Sequence, residues 1–124
     1  MTPKQFDLLV DTTLAHCREL LNSKGANYAP GDDRFHNFRV ASNITTEERA
    51  FTPAMACLGM WRKQLVSLID MIETRPSYLS QVRLNEVIDD LINYMLLTKG
   101  MLYESYDLHL MPTTAPADTE QVDP

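Results

Sequence analysis

Apolar positions along the chain fall into three long helical stripes separated by polar breaks. Phe6, Leu9, Val10, Leu14, Cys17, Leu20 and Leu21 recur at spacings of three and four, which places them on one helical face. Thr2-Pro3 marks the start, a hydroxyl that caps free amides and a proline where no amide is needed. Lys24-Gly25 marks the stop, because glycine accepts the left-handed backbone that closes a last turn. Thr52-Pro53 repeats the cap-then-proline signal and opens a second helix, Pro53 to Thr74, ended by Arg75-Pro76. Its apolar residues, among them Met60, Trp61, Leu65, Ile69 and Ile72, cover most of the circumference, the pattern of a central helix enclosed by neighbours. Ser77 or Ser80 caps a last helix that carries Leu84, Val87, Ile88, Leu91, Ile92, Met95 and Leu96 toward Tyr106.

The intervening stretches are shorter. Residues 25–37 (GANYAPGDDRFHN) follow loop rules, with a short helix starting at Asp32 or Asp33 and carrying Phe35, Phe38 and Ala41. Thr45 to Glu48 matches a capping box, which predicts one or two further turns within residues 42–52. From Met111 to Pro124 the chain is polar, proline-bearing and aperiodic, the pattern of a disordered acidic tail. No repeat and no strand pattern is present. The expectation is therefore all-α: a helical bundle of three long helices plus one or two short ones, forming a single domain over residues 1–110, with 111–124 as the tail.

Composition narrows the function classes. At 124 residues, 44% hydrophobic and 23% charged, the chain suits one self-sufficient soluble domain and not wholesale disorder. No apolar run approaches the roughly 18 residues of a membrane span, and the start (MTPKQFD) lacks a signal peptide's basic and apolar regions. Cys17 and Cys57 are the only cysteines, without a CxxC pair or a histidine partner, so they read as reduced, buried thiols of a cytoplasmic protein. Of the net charge of −6, half belongs to Asp118, Glu120 and Asp123 in the tail. The remaining mild acidity argues against general nucleic-acid binding and favours a small-molecule or protein partner.

Two constellations could carry chemistry. On the second long helix, Lys63, Ser67 and Asp70 fall at i, i+4 and i+7, one polar stripe on an apolar cylinder. Such a stripe faces water, a ligand or opposite charges, since burial without partners costs several kcal/mol. The last helix offers a matching stripe of Glu86, Asp89 or Asp90, and Asn93. Facing each other, the two would line a carboxylate-rich groove suited to a hard cation such as Mg²⁺. The plainer alternatives are a solvated face for the acids and a salt bridge from Asp70 to Lys63 or to Arg62 of a second chain. The second constellation is the loop, where Lys24, Asn27, Tyr28, Asp32, Asp33, Arg34, His36, Asn37, Phe38 and Arg39 crowd together. A nucleotide site needs an aromatic plane, an amide and cations, and all are here. Against that, Phe35 or Phe38 could simply plug the bundle end and His36 could be a structural histidine. His16, on the polar side of the first helix, and His109 carry no signal. No nucleophile elbow, phosphate-binding glycine loop or Ser/Cys–His pair occurs.

Four motifs in order add a resemblance: Lys24-Gly25…Tyr28; Asp32 to Phe38 (DDRFHNF); Gly59-Met60…Lys63 with Ser67…Asp70-Met71; and Glu86, Asp89, Asn93, Tyr94. Over about residues 5–103 the chain resembles a family of small phage-encoded proteins similar to the all-α nucleoside triphosphate pyrophosphohydrolases, the MazG-like and dimeric dUTPase-like group. The resemblance implies a helical, usually oligomeric domain that binds nucleotides with Mg²⁺, whose carboxylates hold metals that activate water against the α–β phosphoanhydride. Carried over, Glu86 and Asp89 form the ExxD metal pair and Asp70 faces them. Lys63 and Arg34 hold phosphate; Tyr28, Asn37 and Phe38 surround the base; Lys24 and Asn93 complete the substrate contacts. The chain departs from the group in lacking the ExxE pair of the earlier helix and in carrying Gln64 where relatives often have histidine. Nucleotide binding is accordingly better supported than hydrolysis.

The leading expectation is a nucleotide-binding, Mg²⁺-dependent pyrophosphohydrolase-like protein of phage or prophage origin, acting in the host cytoplasm. Its rivals are a catalytically silent anti-defence or host-inhibitory protein and a plain helical interaction module. The apolar surface at Met60 and Trp61 predicts a homodimer or higher oligomer.

Overall fold

A computed structural model describes residues 1–28, 31–44 and 52–110. Four helices follow in order: α1 (Pro3–Tyr28), α2 (His36–Ile44), α3 (Pro53–Thr74) and α4 (Gln81–Ser105). The all-α expectation holds, with three long helices and one short one. The expected capping box at Thr45–Glu48 and the expected disordered tail at 111–124 lie outside the described residues.

The helix starts follow local chemistry. At the head of α1 a reciprocal capping box forms: the Thr2 hydroxyl accepts from the Gln5 amide at 3.1 Å, and the Gln5 side chain accepts from the Thr2 amide at 2.8 Å. Thr52 caps α3 by accepting from the Met55 amide, and Ser80, not Ser77, caps α4 by accepting from the Arg83 amide. The end of α1 departs from expectation. Gly25 is helical, and the helix runs three residues beyond it to Tyr28. The glycine serves a different purpose: a Cβ there would stand 3.1 Å from Arg34 Nε, so its bareness makes room for the Arg34 side chain. Gly31, with φ of 71°, takes the left-handed turn instead.

The helices pack in the order α1–α4–α3–α2. Gln64 of α3 bonds Asp90 of α4 while Cys57 meets Thr98, so α3 and α4 are antiparallel. Phe6 lies beside Leu84 and Lys24 beside Tyr94, so α1 runs parallel to α4. The expected central helix is thereby corrected. It is α4, gripped on two sides and carrying buried Val87, Asp89, Asn93 and Met101, whereas α3 buries only Cys57. An apolar circumference reports how much surface wants cover, not how much receives it. The buried cluster joins Phe38 of α2, Cys57 of α3 and Met101 of α4, with Phe35, Trp61, Tyr94 and Leu97 packed around it. Trp61 thus belongs to the chain's own core.

Candidate functional site

The cavity that gathers the loop residues lies where the end of α1, the start of α2 and the middle of α4 converge. It measures about 250 Å³, and Lys24, Arg34, Asn37, Phe38, Asn93 and Tyr94 are in its wall, with Leu21, Met60, Asp90 and Leu97 completing it. Its construction can be traced through the chain. Phe35 packs its ring onto Gly100 of α4, where a Cβ would fall 2.7 Å from the ring edge. Asp33 accepts from the Phe35 amide at 3.1 Å and holds Arg39 through Nε at 2.7 Å; Arg39 also donates to Glu104. The loop entering α2 is therefore fastened to α4. That fastening presents Arg34, Asn37 and Phe38 to the cavity.

Asn93 sits at the heart of the site. It is buried, 5% exposed, and its Nδ2 donates to the backbone carbonyl of Cys17 at 3.2 Å. Its Oδ1 has no hydrogen-bond partner. Buried amide oxygens are nearly always satisfied, and an orphan costs about 1–3 kcal/mol. That oxygen is itself buried, so Asn93 contributes to the cavity wall without presenting a free acceptor to it. Lys24 lies half-exposed at the mouth, with its Nζ 3.4 Å from Asp90 Oδ1, while Gln64 donates to the other Asp90 oxygen at 3.0 Å. Burial pushes the Tyr94 hydroxyl up from its ordinary value, with nearby Lys24 pulling the other way. Tyr94 is thus a neutral phenol at physiological pH, able to donate.

Among the residues expected to contact substrate, Lys24, Arg34, Asn37, Phe38 and Asn93 share this one cavity. The side chain of Tyr28 lies outside the described residues. The residues expected to hold metal are not brought together. Asp89 is turned to α1, where its buried carboxylate takes the Nδ1 of His16 at 2.5 Å. Glu86 is exposed and, among the described residues, paired only with Arg83 one turn earlier. Asp70 is exposed on α3 and lines none of the described cavities, and Lys63 is exposed likewise. Asp33, a further carboxylate of the loop, is engaged by Arg39, whose guanidinium holds it below its ordinary value. Among the described residues no group of three or more His, Cys, Asp or Glu side chains could hold a metal ion. Asp70, Glu86 and Asp89 are thus not gathered into one site within the chain. The cause is rotation: α4 turns Asp90, not Asp89, toward α3, and α3 answers with Gln64, not Lys63 or Asp70.

The sequence assigns no role to Tyr94 in the cavity wall or to His16 beside Asp89. Tyr94 stands beside Asn93 in the fourth motif, which assigns it no role. His16 looked solvated, and nothing in its local sequence announces that a carboxylate 73 residues away reaches it. Both cysteines are buried, and burial raises both thiols. No family model, no curated protein and no solved structure matches the chain.

Proposed function

We propose that the chain binds a nucleotide in the α1–α2–α4 cavity. The single observation carrying this reading is the meeting of two cations, Lys24 and Arg34, with the amide of Asn37 and the rings of Phe38 and Tyr94 around one cavity. The Asn37 amide offers a donor and an acceptor to the edge of a base. Phe38 and Tyr94 offer the aromatic surface a base requires. The two cations take the phosphate, Arg34 through its fork and Lys24 as a point charge released from Asp90. At about 250 Å³ the cavity is slightly under the roughly 300 Å³ at which drug-sized sites begin, so it encloses a nucleoside and leaves the phosphates at its rim. The resemblance to the MazG-like group points the same way. Because the carboxylates stand apart, binding is the supported activity, and Mg²⁺-dependent hydrolysis rests on the resemblance alone.

Thermal unfolding with nucleoside mono- and triphosphates, each with and without Mg²⁺, tests the proposal. A ligand at ~100 times its Kd adds about 2.7 kcal/mol to stability, a shift easily read. At least one nucleotide should raise the midpoint, and the double variant Lys24→Gln, Arg34→Gln should lose that rise while remaining helical. If no nucleotide shifts the midpoint of the folded protein, the proposal fails. Pyrophosphate release from the same mixtures separates turnover from sequestration.

A further inference from the structure

The two cations of the cavity meet at one place. Arg34 lies across the end of α1: its Nη2 donates to the Leu21 carbonyl at 3.5 Å, and its Nε falls 3.1 Å from where a Cβ on Gly25 would stand. Lys24 belongs to the same stretch, so ammonium and guanidinium enter the cavity wall from a span of about one helical turn, roughly 5.4 Å. The Arg34–Leu21 bond is at the long limit and is readily exchanged for a better acceptor. Among the described residues no other lysine or arginine lines the cavity. Arg39 is taken by Asp33 and Glu104, Arg83 pairs with Glu86, and Lys99 lies over Tyr103. The same wall holds a fixed negative charge. Lys24 Nζ approaches one oxygen of partly buried Asp90 at 3.4 Å, and Gln64 donates to the other at 3.0 Å. When Lys24 turns to a ligand, Asp90 keeps, among the described residues, only the neutral amide of Gln64, and its charge is uncovered.

Resting on the nucleotide proposal above, we infer that the cavity selects a nucleotide with one phosphate, a nucleoside monophosphate, and that Asp90 is the residue that turns away longer phosphate chains. This departs from the triphosphate that the resemblance implies. A phosphate monoester carries about −1.5 to −2 charge at pH 7, which two cations on one turn match. The guanidinium fork takes two of its oxygens and the ammonium a third. A second and a third phosphate find no further cation in the wall. They meet the carboxylate of Asp90 instead, a like charge whose repulsion is stronger in a partly enclosed cavity than in open water.

Isothermal titration calorimetry of the full chain, with EDTA present so that charge alone is compared, is the test. Each common nucleoside is titrated beside its 5′-monophosphate and 5′-triphosphate. For the base that binds, the monophosphate should exceed the nucleoside about tenfold to a hundredfold, the worth of charge-assisted bonds to one phosphate. The triphosphate should bind roughly fivefold more weakly than the monophosphate, the cost of one like charge a few Å away even at the dielectric of water. Asp90→Asn removes the charge at nearly constant shape and should bring the triphosphate level with the monophosphate. Lys24→Gln should shrink the advantage of the monophosphate and leave nucleoside affinity unchanged. A triphosphate that binds the unaltered chain more tightly than the monophosphate overturns the inference and leaves nucleotide binding standing, and that ratio decides the question even where Asp90→Asn does not fold. A ratio that a folded Asp90→Asn variant does not move overturns it too. If no nucleoside or nucleotide gives heat or shifts the unfolding midpoint, the binding proposal itself falls, and this inference with it.

Discussion

Two glycines on neighbouring helices should answer the same substitution in opposite directions. Glycine inside a helix costs about 0.8–1.0 kcal/mol relative to alanine, so replacing it normally stabilises. Gly59 of α3 has open space around its would-be Cβ, and Gly59→Ala should realise that gain in full. Gly100 of α4 has the Phe35 ring edge 2.7 Å from the same atom, closer than Cβ contacts occur. Gly100→Ala must push the ring away, an overpacking cost of about 1–3 kcal/mol against the same propensity gain. The ring has little freedom to yield, because Asp33 and Arg39 hold the loop on either side of it. The two variants should therefore differ by about 1–3 kcal/mol, which is roughly 4–12 °C in midpoint for a domain of this size. Thermal unfolding by circular dichroism at fixed protein concentration measures it. Because the ring anchors the segment that presents Arg34, Asn37 and Phe38, Gly100→Ala should also weaken nucleotide binding, and Gly59→Ala should not. Equal upward shifts in both variants would refute the account, showing that Phe35 does not lie against α4.

Two further outcomes follow from the buried and paired groups. Cys17 and Cys57 are 2% and 0% exposed and their thiols are raised by burial, so neither should react with a thiol-specific disulfide reagent at pH 8 until urea unfolds the chain, after which both should. Asp33 is held below its ordinary value of 3.8 chiefly by its hydrogen bond from Arg39. A depressed carboxyl contributes stability that is present above 3.8 and is lost as pH falls below it. Acid titration of the unfolding midpoint should show a loss in that range, and Asp33→Asn should remove it.

Helix existence was legible because caps and periodicity are local. Thr2, Thr52 and Ser80 do what their residue types favour. The end of α1 was misplaced because Gly25 answers to Arg34, a contact across the loop that no local rule contains. Five of the loop and α4 residues expected around a nucleotide do line one cavity, since a loop tethered at both ends has few ways to deliver Lys24, Arg34, Asn37 and Phe38 except onto the adjacent helix. The carboxylates stand apart for a different reason. Asp89 and Asp90 are neighbours in sequence but about 100° apart around α4. Which of them faces α3 depends on how α1 and α3 seat against α4, and that rotation is a property of the whole packing. His16 and Asp89 found each other through the same rotation.

Apart from Met60, the walls of the cavity come from positions 21–38 and 90–97, early and late in the sequence. No fragment that stops short of α4 contains both. During synthesis the pocket stays unmade until the last long helix has left the ribosome, so a nascent chain cannot capture its ligand early, and ligand binding reports only finished molecules.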